Sequence, residues 1–469
     1  MNLVIGLDLG TTTCKALALT PSGEVAASAS ATYPLLTPQP GWAEQDPTVV
    51  WRVAAQTLSA VCQQLGATAI TAIGLSGAMH SALPLDTHDL PLAHAMTWAD
   101  QRATPQAEAQ RAQTDPLALY QRTGCPQQAL YLPAKGRYWA DQLGPRLARL
   151  VSLKEYVAWQ LTGAWAVDDA LASTTGLLDI HTRRWDAEAL SLAGLTPAQL
   201  STLVSSEATI GQVTAPAASA TGLPVGTPVI AGGSDGGMAQ VGMNDAIVIT
   251  VGTSGAIRQV VSQPRLDSQA RTWCYAQDAM HWLAGGAINN GGIVAQWAQR
   301  HFYPNEPIEV MDREVGEIAP GAEGVMAHPY LTGDRTPHWN ATARATLSGF
   351  GVEHTRAHLA RALLEGVAFC LADVWELVGN ASEVWLTGGI TQAPVWAQIV
   401  SDVLGVPLGL AAGADASAEG AARTALAAAG TALPPRPSPR ARLEPDSARH
   451  ETYSALHRLF QERYAALYG

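Results

Sequence analysis

The chain has 469 residues, a formal net charge of −12 and a hydrophobic content of 47%. This length allows about two to three domains, each with a core of its own. The negative charge argues against nucleic acid and anionic membrane surfaces as partners, and no apolar run has membrane-spanning length. The five cysteines are widely spaced and form no metal-binding motif. Because an odd number of cysteines suits a reduced compartment and the chain opens directly into a predicted strand, we expect a cytoplasmic protein.

Strand and helix signals alternate along the chain, which predicts an α/β fold. In the first half, predicted strands cover Leu3–Asp8, Lys15–Leu19, Glu24–Tyr33, Ile70–Leu75 and Pro228–Gly232, and predicted helices cover Pro47–Leu65 and Leu153–Leu161. In the second half, a predicted strand covers Val384–Leu386, and predicted helices cover Asn290–Arg300, His354–Val378 and Ser447–Tyr468. A seam near residues 242–245 divides the chain into predicted domains at 1–243 and 244–469.

A turn of glycine and hydroxyl residues occurs twice between predicted strands, about half the chain apart. The first copy is GLDLGTTTCKALAL at Gly6–Leu19, and the second is IVITVGTSGAIRQV at Ile247–Val260. Small residues let backbone N–H groups approach phosphate oxygens, and hydroxyl groups add donors. Two such turns can hold the two ends of one nucleoside triphosphate, although each alone is also typical of an ordinary hairpin. The candidate phosphate-binding residues are Thr11, Thr12, Thr13, Gly252, Thr253 and Ser254.

Two aspartates follow apolar strands near these turns. Asp8 ends the first predicted strand, where a carboxylate suits Mg²⁺, an ion that keeps most of its waters. The alternative is a carboxylate that caps the turn through the backbone. Asp235 lies among the glycines of Gly232–Gly237, where it can accept a proton from a substrate hydroxyl as phosphate arrives. The alternative, which does not exclude the first, is an N-cap for a short helix at Gly236–Val241.

Other polar and glycine residues stand at predicted strand ends, where α/β proteins bind ligands. Gly388 and Gly389 can let an adenine ring lie against the backbone, although such pairs are common in turns. The segments SGAMH and TWADQR supply candidate substrate contacts at Met79, His80, Trp98, Asp100 and Arg102. Taken singly, the histidine is more often structural, the tryptophan a core residue and the arginine an ion-pair partner.

Together these motifs resemble the FGGY family of carbohydrate kinases. In chain order they are GLDLGTTTCKA, GLSGAMHSALPLD, TWADQR, AGGSDGG, VGTSG and LTGGI. The run MHSALPLD and the segments Gly285–Trp297 and His328–Phe350 are similar to those of bacterial gluconokinases within that family. The resemblance covers almost the whole chain. It implies two ribonuclease H-like domains of the actin and hexokinase type, with a cleft between them that binds ATP and a sugar.

The resemblance also implies a role for each candidate residue. Asp8 corresponds to a residue linked to Mg²⁺, and Asp235 corresponds to the catalytic base. The phosphate contacts correspond to Thr11, Thr12, Thr13 and Thr253, the adenosine motif to Gly388 and Gly389, and the sugar site to Met79, His80, Trp98 and Asp100. One departure concerns Lys135, which stands four residues before Trp139, where the family commonly has a spacing of three.

The expected reaction is therefore the phosphorylation of D-gluconate by ATP. Xylulose or another ketose or polyol is the alternative substrate, and a non-catalytic sugar-binding regulator is a more distant alternative. The carboxylate of gluconate needs local donors, for which the sequence offers His80, Arg102 and Lys135 without deciding among them. The sequence also leaves open whether the protein is a monomer or a homodimer.

Overall fold

The computed structural model describes residues 3–65, 70–243, 246–379, 381–411, 415–432, 436 and 438–469. Its strands form two large mixed sheets, one in each half of the chain. The first has six strands in the spatial order Thr209–Gln212, Pro228–Ser234, Ile70–Gly77, Leu3–Leu9, Thr13–Leu19 and Val25–Thr32. The second has seven strands in the order Trp273–Ala276, Trp282–Ile288, Gly255–Val261, Ile247–Val251, Val384–Thr387, Leu408–Leu410 and Ala441–Leu443.

The two sheets repeat one arrangement around the two predicted hairpins. Leu3–Leu9 pairs antiparallel with the strand that follows it and parallel with Ile70–Gly77. Ile247–Val251 likewise pairs antiparallel with the strand after it and parallel with Val384–Thr387. Each hairpin thus lies at the centre of its sheet. The two sheets share a five-stranded mixed core, to which one edge strand is added in the first sheet and two in the second.

Burial along the strands follows from their places in the sheets. Leu3–Leu9 is buried at six of its seven residues, as a central strand covered on both faces requires. The edge strand Val25–Thr32 alternates small and polar residues and is largely accessible. The carboxyl ends of Leu3–Leu9, Ile70–Gly77 and Pro228–Ser234 therefore meet at one edge of the sheet, because these three strands run parallel.

Helices cover both sheets and connect the strands. They span Pro47–Leu65, Thr104–Gln113, Pro116–Thr123, Leu132–Leu143, Leu153–Thr162, Asp169–Ser173, Ala187–Ala193, Ala215–Thr221, Asp235–Met238, Gly292–Phe302, Ile308–Glu317, Arg356–Val378, Pro394–Leu404, Ala416–Ala428 and Ser447–Tyr468. Short two-stranded ribbons pair Glu44–Gln45 with Ala95–Met96, Leu83–Leu85 with Arg149–Val151, Ala166–Asp168 with Thr202–Val204, Leu178–Asp179 with Arg184–Trp185, and Met326–His328 with Thr346–Ser348. None of the described helices is both long and apolar enough to cross a bilayer.

The helix Ala416–Ala428 belongs to the second half of the sequence but packs against the first sheet. A Cβ atom built on Gly6 would lie 1.8 Å from the carbonyl oxygen of Ala418, and one on Gly74 would lie 2.0 Å from that of Ala421. Glycine at these two positions lets the helix backbone lie directly on the central strands. The helix thus ties the two halves together behind the cleft.

The predicted elements are present, and their ends agree with the predicted bounds to within three residues. The helix expected at Asn290–Arg300 spans Gly292–Phe302, and the strand expected to end at Gly232 continues to Ser234. The predicted domain seam at residues 242–245 lies partly outside the described residues. The short helix after the second aspartate ends at Met238 instead of Val241.

Candidate active site

Two adjacent cavities lie between the sheets and meet at Asp235. The larger has a volume of about 210 Å³ and is lined by Met79, His80, Trp98, Asp235, Thr250, Gly252, Ser254, Gly255, Ala256, Arg258, Trp273, Tyr275, Ala287 and Arg335. The smaller has a volume of about 170 Å³ and is lined by Asp235, Gly236, Ala239, Thr250, Arg258, Thr387, Gly388, Ala416 and Ser417. Asp235, Thr250 and Arg258 line both cavities, so these three side chains mark the place where two ligands would touch.

Asp235 is held at the end of its strand by several contacts. Its Oδ1 accepts a hydrogen bond of 2.7 Å from the N–H of Gly236, and its carbonyl oxygen accepts one of 3.0 Å from the Ser417 hydroxyl. Desolvation raises the pKa of Asp235, and the guanidinium of Arg258 opposes that rise. Ser234, not Asp235, is the N-cap of the short helix, since the Ser234 hydroxyl accepts from the Gly237 N–H at 3.2 Å. The capping interpretation of Asp235 is therefore wrong, and its carboxylate faces both cavities.

Asp8 lies near the end of Leu3–Leu9, which is separated from the strand that leads to Asp235 by Ile70–Gly77. The Asp8 Oδ1 accepts a hydrogen bond of 2.6 Å from the Ser76 hydroxyl, which also stands at a strand end. Desolvation, followed by the nearby Asp235 carboxylate, raises the pKa of Asp8 to about 7. A cation between these two carboxylates would offset their repulsion, because opposite charge favours the ionised form of each.

The first hairpin turn, at residues 10–12, is fixed from outside. The Tyr33 hydroxyl donates to the carbonyl oxygen of Gly10 at 2.5 Å, and the Gln45 side chain donates to that of Thr11 at 2.9 Å. The Trp98 indole donates to the Thr11 hydroxyl at 3.1 Å, which connects the turn to a residue of the larger cavity. Thr12 is exposed and Thr13 is half-buried.

The second turn, at residues 252–254, rests on the start of the helix Gly292–Phe302. The N–H of Gly292 donates to the carbonyl oxygen of Gly252 at 2.6 Å, and the N–H of Ile293 donates to that of Thr253 at 3.1 Å. Because the carbonyl groups are occupied on this side, the turn keeps a fixed shape while Thr253 remains exposed. Gly252 and Ser254 line the larger cavity.

Gly388 lies across the smaller cavity from Asp235. It has a φ of 89°, and a Cβ atom there would lie 2.5 Å from the carbonyl oxygen of Val251. Only glycine fits this left-handed position against the strand that leads to the second turn. Gly389 is exposed, with nothing within 4 Å of the place where a Cβ atom would stand. The pair leaves a bare backbone surface beside the smaller cavity.

His80 is buried in the wall of the larger cavity and has a left-handed backbone, with φ of 64°. Its Nδ1 lies 2.8 Å from the carbonyl oxygen of Thr174, which can only accept, so Nδ1 carries the proton. Burial, followed by the charges of Arg335 and Lys135, holds the pKa of His80 well below its ordinary value. The ring is therefore neutral, and Nε2 is an acceptor suited to a hydroxyl group and not to a carboxylate.

Asp100, Arg102 and Lys135 are not among the residues that line either cavity. The guanidinium of Arg102 pairs with Asp100 and with Glu44, each at 2.6 Å, and lies over the Trp42 ring. Asp100 also accepts a hydrogen bond from the N–H of Ala43 at 2.8 Å. These neighbours occupy the carboxylate of Asp100. The role of Asp100 as a substrate contact stays a prediction.

Lys135 is fully buried and joins two segments of the cavity wall. Its Nζ donates to the carbonyl oxygen of His80 at 2.6 Å and to that of Thr97 at 2.7 Å. Burial lowers the pKa of Lys135 to about 7. Lys135 thus braces the two segments that carry His80 and Trp98, and it is occupied by protein carbonyl groups.

Sequence reasoning missed three donors of the larger cavity, Arg258, Arg335 and Trp273. Arg258 Nη2 donates to the Thr250 hydroxyl at 2.5 Å. The Nε atoms of Arg258 and Arg335 and the indole Nε1 of Trp273 are buried and have no hydrogen-bond partner among the described residues. For Arg258 the sequence does hold a signal, because a charged residue within an otherwise apolar predicted strand indicates a functional position. The positions of the other two residues depend on the folded chain.

The chain is similar to known proteins along most of its length. Residues 3–242 match the N-terminal domain of the FGGY family of carbohydrate kinases, and residues 247–429 match its C-terminal domain. A gluconokinase of Bacillus subtilis is 33% identical over 425 residues, which cover 86% of this chain and 83% of that protein.

Two solved structures share the whole fold. The gluconate kinase of Lactobacillus acidophilus has a TM-score of 0.93 and 28% identity, with 99% of this chain and 98% of that one covered. The xylulose kinase of the same organism also has a TM-score of 0.93, with 29% identity and coverage of 100% and 98%. The expected two-domain α/β kinase fold is thus confirmed, and the chain belongs to the FGGY family of carbohydrate kinases.

Proposed function

We propose that this protein phosphorylates D-gluconate with ATP to give 6-phosphogluconate and ADP. The observation that carries the proposal is the meeting of two cavities at Asp235, Thr250 and Arg258. One cavity is bordered by a glycine surface and the other by hydroxyl-binding and cationic side chains. Phosphoryl transfer needs a donor and an acceptor placed in line on either side of a stabilised phosphoryl group.

The smaller cavity is the proposed nucleotide site. Gly388 and Gly389 offer a flat backbone surface for adenine, and the helix Ala416–Ala428 begins beside the cavity. The proposed phosphate contacts are Thr11, Thr12, Thr13, Gly252 and Thr253, whose turns are held in shape from behind. Backbone N–H groups and hydroxyls in fixed turns bind phosphate without large rearrangement.

The residues around Asp8 fit a role for Mg²⁺. Among the described residues, no cluster of three or more His, Cys, Asp and Glu side chains is arranged to hold a metal. A magnesium ion here would therefore rely on nucleotide phosphates and water for most of its ligands, as this ion commonly does. Asp8, with its pKa raised to about 7 and its Oδ1 fixed by Ser76, would hold the ion directly or through water. When bound, the ion would neutralise phosphate charge.

The larger cavity is the proposed gluconate site. Met79, His80 and Trp98 lie in its wall, and the neutral His80 ring can accept a hydrogen bond from a sugar hydroxyl. Two guanidinium groups face the same space as the single carboxylate of Asp235, so the lining has an excess of positive charge. An anionic sugar acid matches this excess better than a neutral sugar, which would leave buried donors unpaired.

The chemical step follows from the place of Asp235. Its carboxylate accepts the proton of the terminal hydroxyl while that oxygen forms a bond to the γ-phosphorus and the bond from phosphorus to the ADP oxygen breaks. Arg258, between Asp235 and Thr250, lies where it can stabilise charge on the transferring phosphoryl group. Both ligands would lie between the sheets, where fewer competing water molecules reach the reacting groups.

Xylulose is the second candidate substrate. It is favoured by the xylulose kinase of L. acidophilus, whose structure is as similar to this chain as that of the gluconate kinase. A coupled ADP-release assay over D-gluconate, D-xylulose, glycerol, L-ribulose and L-fuculose separates the two. We expect the highest kcat/KM for D-gluconate, and a higher value for D-xylulose would overturn the proposed substrate while leaving the family in place.

We also place the reaction in the cytoplasm. Support comes from the five cysteines, which are all buried and free of disulfide bonds, as expected of a reducing compartment.

A further inference from the structure

The two arginines of the larger cavity differ in their surroundings. Arg258 lines both cavities, and its charge acts on Asp235. Arg335 lines the larger cavity alone, and its charge acts on His80, Tyr131 and Tyr275. The arginines thus mark two different regions of the sugar site, one beside the proposed base and one beside the aromatic wall.

The backbone beside Arg335 is held in place, and the Arg335 Nε has no acceptor among the described residues. The N–H of Thr336 donates to the carbonyl oxygen of Ala287 at 3.0 Å, and the Thr336 hydroxyl accepts from the N–H of Ala287 at 3.1 Å. These bonds fix the backbone beside Arg335 to the strand Trp282–Ile288. The guanidinium lies 5.6 Å from the ring centre of Trp339, and its buried Nε has no partner among the described residues. A guanidinium with a buried, unused Nε donor is suited to a carboxylate ligand.

The geometry of the reaction requires an anion site away from Asp235. In an aldonic acid that is phosphorylated at its terminal hydroxyl, the carboxylate lies at the other end of the carbon chain, roughly 6 Å away when the chain is extended. Arg258 is beside Asp235 and therefore beside the reacting hydroxyl. His80 presents an acceptor, and protein groups occupy Arg102 and Lys135. Arg335 is the remaining cation of the larger cavity.

We infer that Arg335 binds the substrate carboxylate and is the residue that sets a preference for aldonic acids over neutral sugars and polyols. This inference rests on the proposed function, and it names the side chain that recognises the carboxylate end of the substrate. Arg335 touches the substrate and takes no part in proton transfer.

The test compares two substrates that differ in one group. D-Gluconate and D-glucitol share a six-carbon polyol chain, but D-glucitol has a hydroxymethyl group in place of the carboxylate. The variant Arg335→Gln removes the charge and keeps a hydrogen-bonding side chain. We expect its kcat/KM for D-gluconate to fall by about 10- to 150-fold, mainly through KM, as for the loss of a hydrogen bond to a charged group. We expect the ratio of kcat/KM for D-gluconate to kcat/KM for D-glucitol to fall by a similar factor, because only D-gluconate loses a charged partner, while the KM for ATP changes by less than about threefold.

Two further measurements make the result decisive. Arg335→Lys keeps the charge but loses the planar fork, so it should recover part of the gluconate activity and part of the preference for D-gluconate over D-glucitol. Thermal unfolding of each variant separates loss of fold from loss of binding. Equal losses on both substrates with unchanged folding, or full gluconate activity in Arg335→Gln, would overturn the inference alone. A wild-type protein that fails to phosphorylate D-gluconate would overturn the proposed function and the inference with it.

Discussion

The guanidinium of Arg258 donates to the hydroxyl of Thr250 at 2.5 Å, in the wall shared by both cavities. Thr250 in turn lies 2.8 Å from the hydroxyl of Thr387, on the next strand of the second sheet. A continuous chain of hydrogen bonds therefore crosses the proposed site of phosphoryl transfer. Arg258 is held by this chain and faces Asp235, so its charge is in place before any ligand binds.

This relationship predicts the effect of replacing Arg258. In Arg258→Gln, kcat should fall by about 10² to 10³-fold for every sugar, as for removal of a donor to a charge that develops in the transition state. The measurement is steady-state kinetics with D-gluconate and with D-glucitol. The matched control is Arg335→Gln, for which we expect a loss confined to D-gluconate. If Arg258→Gln raises only the KM for D-gluconate and leaves kcat unchanged, Arg258 binds the substrate carboxylate instead.

Because the His80 ring is neutral, we expect that it does not select between charged and neutral substrates. His80→Ala should lower kcat/KM by about 2- to 10-fold, the effect of one neutral hydrogen bond, and by similar factors for D-gluconate and D-glucitol. The ratio of the two values is the quantity to measure. If the ratio falls together with gluconate activity, His80 contacts the carboxylate and its assigned tautomer is wrong.

The proposed metal role of Asp8 predicts a change in the response to magnesium. Asp8→Asn keeps the size of the side chain and an oxygen that can accept from Ser76. We expect turnover to fall and the half-saturating Mg²⁺ concentration to rise, because the amide is a weaker ligand for a hard cation. Activity is titrated against Mg²⁺ at a fixed ATP concentration. An unchanged Mg²⁺ profile would assign Asp8 a structural role at the turn.

Lys135 predicts a pH dependence of stability. Its pKa is lowered from 10.5 to about 7 by burial, so between these values the unfolded chain holds a proton that the folded chain lacks. The free energy of unfolding should therefore rise with pH across this window, by up to about 1.4 kcal/mol per pH unit.

Lys135→Met removes this titration and also the brace between the carbonyl groups of His80 and Thr97. The measurement is denaturant unfolding of both proteins at several pH values. The free energy of unfolding of the wild type minus that of the variant should grow as pH rises from about 7 to 10. A constant difference would mean that Lys135 titrates in the folded protein as it does in the unfolded chain.

The sequence predicted those parts of the site that depend on local pattern. The two hairpin turns follow from small and hydroxyl residues between apolar strands, and Asp235 follows from a strand that ends in glycines. In the structure, Asp235 and the second turn line one cavity, and Trp98 in the same wall donates to Thr11 of the first turn. The alternating signals likewise predicted an α/β fold, because strand and helix periodicities are local properties.

Other parts depend on contacts between distant segments. Arg335 reaches the cavity because Thr336 is bonded to Ala287, and no local pattern shows that pairing. The helix Ala416–Ala428 lies on the first sheet although its sequence belongs to the second half. Arg102 and Lys135 were reasonable partners for a carboxylate by charge, but the folded chain supplies Asp100 and two carbonyl groups instead.

The most direct test of the account concerns Asp235, the residue on which both cavities converge. Asp235→Asn should bind ATP and D-gluconate with dissociation constants close to those of the wild type, as measured by calorimetry. Formation of 6-phosphogluconate, measured as ADP release and by product analysis, should fall by about 10² to 10⁴-fold, the usual effect of removing a general base. Near-normal turnover in this variant, with both ligands bound, would contradict the assignment of Asp235 as the base and with it the proposed mechanism.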